Sequence, residues 1–198
     1  MIFLTLTTFT AMFGYMLVSS FTPGPGNILA LNTTLKDGLK NSKYLLIGIG
    51  LGYLVVQYIC TGAVLLFEAV LEGAMLYLKY IGAAYLVWLA VHIFLSRKDS
   101  PSQSGKSGFM SGFLMQLVNV KIYFYCTTLL SVYIVPNFTN GVVVLLMGLF
   151  VIFIGCTATF SWAVAGAKLQ KLYFEHFKLC NTVMALFLLW CAMSMIWS

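Results

Sequence analysis

Phe21-Thr22-Pro23-Gly24-Pro25-Gly26-Asn27 lies inside a long uncharged stretch, with Met1–Ser20 before it and the apolar Ile28-Leu29-Ala30-Leu31 after it. Two prolines and two glycines in succession cannot continue a regular helix. Proline lacks the amide hydrogen and crowds the preceding turn, and glycine is entropically costly to hold in place. Yet no charge appears before Lys36. One straight helix over 1–36 would be about 54 Å long, against roughly 30 Å of bilayer hydrocarbon. The segment must break, bend or re-enter. Backbone groups freed by a break are tolerated at membrane depth only where they line a cavity or are buried in protein. A plain cytoplasmic turn ending the first helix is the alternative, and the apolar residues from Ile28 onward speak against it. Asn27 is expected to cap the resumed helix.

The composition around this stretch belongs to a membrane protein. Of 198 residues, 61% are hydrophobic and 8% charged, where a soluble domain averages about 25% charged. A chain this short cannot bury so much apolar surface in one soluble core. A soluble enzyme, a nucleic-acid-binding domain and a disordered protein are excluded. Six stretches suit membrane helices: Met1–Phe21, Tyr44–Phe67, Ala74–Ser96, Phe109–Val135, Gly141–Ala167 and Leu179–Ser198. Met1–Leu17 has no basic residue, so it reads as a retained first helix rather than a cleaved signal peptide.

The connections alternate in charge. Those around 36–43, 97–108 and 168–178 hold nine Lys/Arg, whereas Glu68–Gly73 and Pro136–Gly141 hold none. Basic connections stay in the cytoplasm, so both termini are expected outside. The connection over 97–108 is also the one Ser/Gly/Pro-rich stretch and reads as a flexible linker. It divides the chain into halves, 1–96 and 109–198, of three spans each. Because three is odd, the second half enters from the opposite side, which makes an inverted repeat. The fold expectation is therefore an all-α integral membrane protein. It has six transmembrane helices in two inverted three-helix repeats, the first helix broken at Pro23–Gly26.

Inverted repeats often interrupt a helix at equivalent places, with the binding site between the interruptions. In the second half the matching feature is Gln116-Leu117-Val118-Asn119-Val120-Lys121. An ionisable residue inside a span is a functional candidate by default. Lys121 lies fifteen residues beyond Lys106, and Pro23 thirteen residues before Lys36. As helix, each distance is about 20 Å from the cytoplasmic surface. Both irregular features thus share a depth near the middle of the membrane. Snorkelling of Lys121 to the headgroups is the bland alternative, and its depth opposes it. Gly48 and Gly52 form a GxxxG face for close packing, either within the chain or between copies in a homo-oligomer.

Other chemistry finds no support. Gly105-Lys106-Ser107 would need a glycine at Ser100 to end a phosphate loop. There is no HExxH, no metal-ligand set around the isolated His92 and His176, and no nucleophile–base pair. Neither catalysis, a metal, a cofactor nor a nucleic-acid partner is expected. The five cysteines, Cys60, Cys126, Cys156, Cys180 and Cys191, lie in apolar segments without a CxxC and read as small apolar side chains.

The Thr-Pro-Gly-Pro stretch resembles the lysine exporter (LysE) superfamily in its RhtB branch of amino-acid exporters. The resemblance extends over essentially the whole chain, through Gly48-Ile49-Gly50-Leu51-Gly52, Ile81–Ala90 and Gln116–Lys121. It implies proton-driven export of small neutral amino acids across a bacterial inner membrane. Here Gly26 intervenes before Asn27, and Val120 stands where many relatives carry proline, so a blunter break is expected in span four. The substrate-binding candidates are Thr22, Pro23, Gly24, Pro25, Gly26, Asn27, Asn119 and Lys121. Amides near Pro25-Gly26-Asn27 would take a substrate carboxylate, and carbonyls around Thr22 its ammonium group. Lys121 would pair with the carboxylate or carry the coupled proton, since a desolvated lysine gives up its proton more readily. Two other readings are a thiol–disulfide electron carrier, which needs one reactive cysteine in each half, and a non-transporting membrane subunit.

Overall fold

The computed structural model describes residues 6–66, 68–97 and 105–197. The described residues are helical and contain no strand. Helix α1 (Leu6–Phe21) stops at the Pro-Gly stretch, and α2 (Pro25–Asn41) restarts after it. Gly24 is extended at φ −160°, ψ 172°, and Pro25 takes the first helical position. Proline suits that position, because its fixed φ is helical and its missing N–H would have no partner there. α2 bends at Gly38, whose φ of 76° is the one positive value among the described residues.

α3 (Lys43–Leu66) and α4 (Glu68–Phe94) follow. The second connection is therefore shorter than its sequence suggests. Glu68–Gly73 belongs to a helix, as its Glu, Ala and Leu residues allow. After the linker, helix resumes at Gly105 and α5 runs over Gly105–Leu117, so 105–108 is helical rather than linker. Most of the expected linker, 98–104, lies outside the described residues.

α6 (Val120–Thr128) starts after a break at Val118-Asn119 and runs into a π-helical turn, Leu129–Ile134. The two arms meet at 54°. The blunter break expected from Val120 is thus corrected. Asn119, at φ −82° and ψ 88°, leaves helical geometry without help from a proline. α7 (Gly141–Lys168), the short α8 (Gln170–Glu175) and α9 (Phe177–Trp197) complete the order.

Four helices are long and apolar enough to cross a membrane: α3, α4, α7 and α9. The bent α5–α6 pair makes a fifth. α1 alone, at 16 residues, would reach only about 24 Å. Large apolar side chains such as Leu54, Phe153, Leu186 and Trp190 are exposed on the outside of the bundle, as lipid-facing helices require.

Close helix packing rests on glycine. α3 lies along α5, where the bare face of Gly48 meets the Phe109 carbonyl and that of Gly112 meets the Leu45 carbonyl. Gly52 faces Phe113 O and Gln116 Cβ. The GxxxG face therefore serves packing within the chain. α2 lies along α7, with Gly166 against Leu31 O and Thr34 Oγ1, and α4 lies along α9.

Candidate functional site

The two helix breaks meet. Lys121 Nζ, in the first turn of α6, donates a 2.9 Å hydrogen bond to the carbonyl of Thr22 in the first break. A cavity of about 20 Å³ lies between them. It is lined by Gly24, Gly26 and Asn27 from the first break and by Gln116, Asn119 and Lys121 from the second. Ser19, Ser20, Tyr53, Ile122, Tyr125, Gly155 and Thr159 also line it.

Asn27 holds the first break in shape. Its Nδ2 donates to Ser20 O at 2.9 Å and to Thr22 O at 3.1 Å. Its Oδ1 accepts from Thr159 Oγ1 at 2.9 Å. Asn27 therefore does not cap α2. The residue at the cap is Gly24, and the Asn27 side chain reaches back to carbonyls left over at the end of α1. Trp162 Nε1 donates to a third, Phe21 O, at 3.1 Å. α7 thus pins the break through both Thr159 and Trp162.

Two helices begin at the cavity. The first intrahelical bond of α2 is Ile28 N to Gly24 O, so the amides of Gly26 and Asn27 have no partner within the helix. In α6 the first is Ile122 N to Asn119 O, which leaves Val120 and Lys121 in the same condition. Partly positive helix starts of this kind attract anions. Acceptors face them. Asn119 Nδ2 donates to Gln116 Oε1 at 3.1 Å, while Asn119 Oδ1 is buried without a hydrogen-bond partner. A buried acceptor left unpaired costs about 1–3 kcal/mol. The site therefore offers both signs of charge, and among the described residues Lys121 is the one ionic group lining it.

The candidates named from sequence separate here. Gly24, Gly26, Asn27, Asn119 and Lys121 line the cavity. Thr22 is not among the lining residues and meets the site only through its carbonyl, which accepts from Lys121 at the cavity wall, while its hydroxyl is bonded to Val18 O. Pro23 and Pro25 are not among the lining residues and act on the backbone only. Sequence reasoning missed Ser20, Tyr53, Tyr125, Gly155 and Thr159. Ser20 Oγ donates to Tyr125 OH at 3.1 Å, and the rings of Tyr53 and Tyr125 lie 6.3 Å apart. Thr159 carries a hydroxyl in a largely apolar span, but Thr157 and Ser161 carry one too, so nothing in the sequence singles it out.

The structure also buries Cys60 of α3 and Cys126 of α6, one cysteine from each half, in the same core cluster. Residue spacing does not signal this proximity. Both are free and have 0% exposure. No partner thiol can reach either sulfur for in-line exchange, so the pair reads as packing. Among the described residues no cluster of three or more His, Cys, Asp or Glu suits a metal.

A multi-pass helical protein with two interrupted helices facing one mid-bundle cavity has the form of a membrane transporter. The sequence matches the family described as LysE type translocator over residues 17–198, and the chain belongs to that family. It is a translocator and not an enzyme. The cysteine/O-acetylserine efflux protein of Escherichia coli is 36% identical over 195 residues, covering 96% of this chain and 97% of that protein. A protein of the same name from Shigella sonnei matches with the same identity and coverage. No solved structure matches.

Proposed function

We propose that this protein is a secondary-active exporter of small neutral amino acids of the cysteine and O-acetylserine kind, coupled to proton antiport. One observation carries the reading: Lys121 and two helix starts converge with buried acceptors on a single cavity. That combination matches a zwitterion. The carboxylate goes to Lys121 and the free amides at Gly26, Asn27, Val120 and Lys121. The ammonium goes to Thr22 O and the unpaired Asn119 Oδ1. Thr22, Pro23, Gly24, Pro25, Gly26, Asn27, Asn119 and Lys121 form the binding region. The relatives' printed name supports this substrate class.

The architecture behind it is six spans in two inverted repeats, with α1–α2 and α5–α6 as the equivalent broken helices. The packing supports this. α3 lies along α5, α2 along α7 and α4 along α9, so the second span of each half packs on the broken helix of the other. Rocking of one half against the other gives alternating access. The chain resides in the bacterial inner membrane with both termini periplasmic.

The test is uptake of a labelled amino-acid panel into inverted, energised vesicles, with and without uncoupler. Uncoupler-sensitive accumulation of a small neutral amino acid is expected. No accumulation of any panel member by folded protein would defeat the reading. Full export by Lys121→Met would remove Lys121 from the substrate site.

A further inference from the structure

The cavity holds about 20 Å³, which is room for about one water molecule. No amino acid fits beside the side chains as they stand, so something must leave. Thr22 O identifies what leaves. A carbonyl oxygen has two lone pairs, and both are in use: Asn27 Nδ2 donates at 3.1 Å and Lys121 Nζ at 2.9 Å. Asn27 is fixed by two further bonds, to Ser20 O and from Thr159 Oγ1. Lys121 is held at the end of a flexible four-carbon stem. Its stem lies across Gly24, where a Cβ would come within 2.9 Å of Cδ and 3.0 Å of Nζ.

We infer that Lys121 is a tethered stand-in for the substrate, its ammonium group occupying the substrate's ammonium position on Thr22 O until the substrate displaces it. This rests on the exporter reading and deepens it. On binding, one cation replaces another at the carbonyl and no covalent bond changes. The released Lys121 ammonium turns to the carboxylate that arrives with the substrate. Among the described residues no acidic side chain lines the cavity, so the counter-charge comes with the ligand. An amine without a carboxylate would leave two cations facing each other in a site with little water. The exchange therefore selects zwitterions over plain amines before any side chain is read.

The experiment compares L-cysteine with cysteamine, the same molecule without its carboxylate. Binding is measured under reducing conditions on purified, lipid-reconstituted protein. Wild type is expected to bind L-cysteine at least about tenfold more tightly than cysteamine, the scale of one charge-assisted hydrogen bond. In Lys121→Met, one lone pair of Thr22 O is freed, so cysteamine should bind about tenfold tighter than to wild type and the preference for the carboxylate should vanish. Gly24→Ala keeps the lysine but pushes its stem aside, and should shift cysteamine the same way. If Lys121→Met loses L-cysteine without gaining cysteamine, Lys121 is only a carboxylate clamp and the inference is wrong. Equal affinity of wild type for both compounds overturns it without any variant. Failure of wild type to bind any panel amino acid sinks the exporter reading, and this inference with it.

Discussion

Adding one methyl group at Gly52 should damage transport although Gly52 does not line the cavity. A Cβ at this position would lie 2.8 Å from both Phe113 O and Gln116 Cβ, where ordinary contact begins at 3.4 Å. α5 must then retreat by about 0.6 Å, the difference between those two distances. Neither contact is the free end of a flexible chain, so neither can swing away. The retreat carries Gln116 and the following Asn119 out of register with Thr22 and Asn27. Overpacking of this kind costs about 1–3 kcal/mol. A misplacement below 1 Å at a site that depends on hydrogen bonds is enough to lower turnover sharply. Gly62 supplies the control on the same helix, because a Cβ there meets nothing within 4 Å. Gly62→Ala should be neutral or stabilising by about 0.5–1 kcal/mol, from helix propensity alone. The assays are thermal unfolding in detergent and energised uptake in inverted vesicles. If Gly52→Ala unfolds and transports like Gly62→Ala, the glycine contact does not position the site.

Thr159→Val removes the donor to Asn27 Oδ1, and it should cost about 1–3 kcal/mol and loosen the first break, read by thermal unfolding and by a weaker apparent affinity in uptake. Gly155→Ala drives a methyl into the Tyr53 ring and should abolish uptake in protein that still elutes as a folded species. Val120→Pro should leave the fold intact, with a gain of about 0.4–1 kcal/mol in stability, because Val120 takes the first helical position of α6 where a proline needs no N–H, while it removes one amide proposed for the carboxylate. A marked loss of thermal stability there would show that the Val120 amide has a partner in the resting protein. Cys60→Ala/Cys126→Ala should retain more than about half of wild-type uptake, since a buried thiol pair behaves as small apolar packing. Loss of uptake, reversed by restoring the thiols, would revive the redox reading.

The first break was legible because proline and glycine forbid helix whatever surrounds them. Lys121 was legible because a charge in a span stands out and its depth follows from counting residues. Counting placed it level with Pro23, and the structure has it on the Thr22 carbonyl. The second break was harder to see. Its sequence contains no breaker, and Asn119 departs from helical geometry in a context that only tertiary packing supplies. Tyr53, Tyr125 and Gly155 were invisible for a different reason. Aromatic and small residues occur throughout membrane helices, and nothing in their spacing says which of them face a cavity. Asn27 was assigned to the wrong end of the break. An asparagine at a helix start suits a cap, but here proline at the first helical position leaves the cap to Gly24, and the carbonyls of α1 claim the amide.

The groups held in place at the first break are main-chain atoms: Ser20 O, Phe21 O and Thr22 O. Such atoms survive every exchange of side chain. A mutational scan would find Phe21 and Thr22 permissive and would pass over the heart of the site. Chemical synthesis is the tool that reaches it, for instance an ester in place of a main-chain amide, which weakens a chosen carbonyl and leaves every side chain intact. The same feature bears on how such proteins diversify. In the proposed exporter, main-chain recognition would address the part common to all amino acids, and the choice among them would fall to the few side chains that complete the wall, Tyr53, Ile122 and Tyr125. New cargo can then arise by substitutions at those positions while the recognition of an amino acid as such stays untouched.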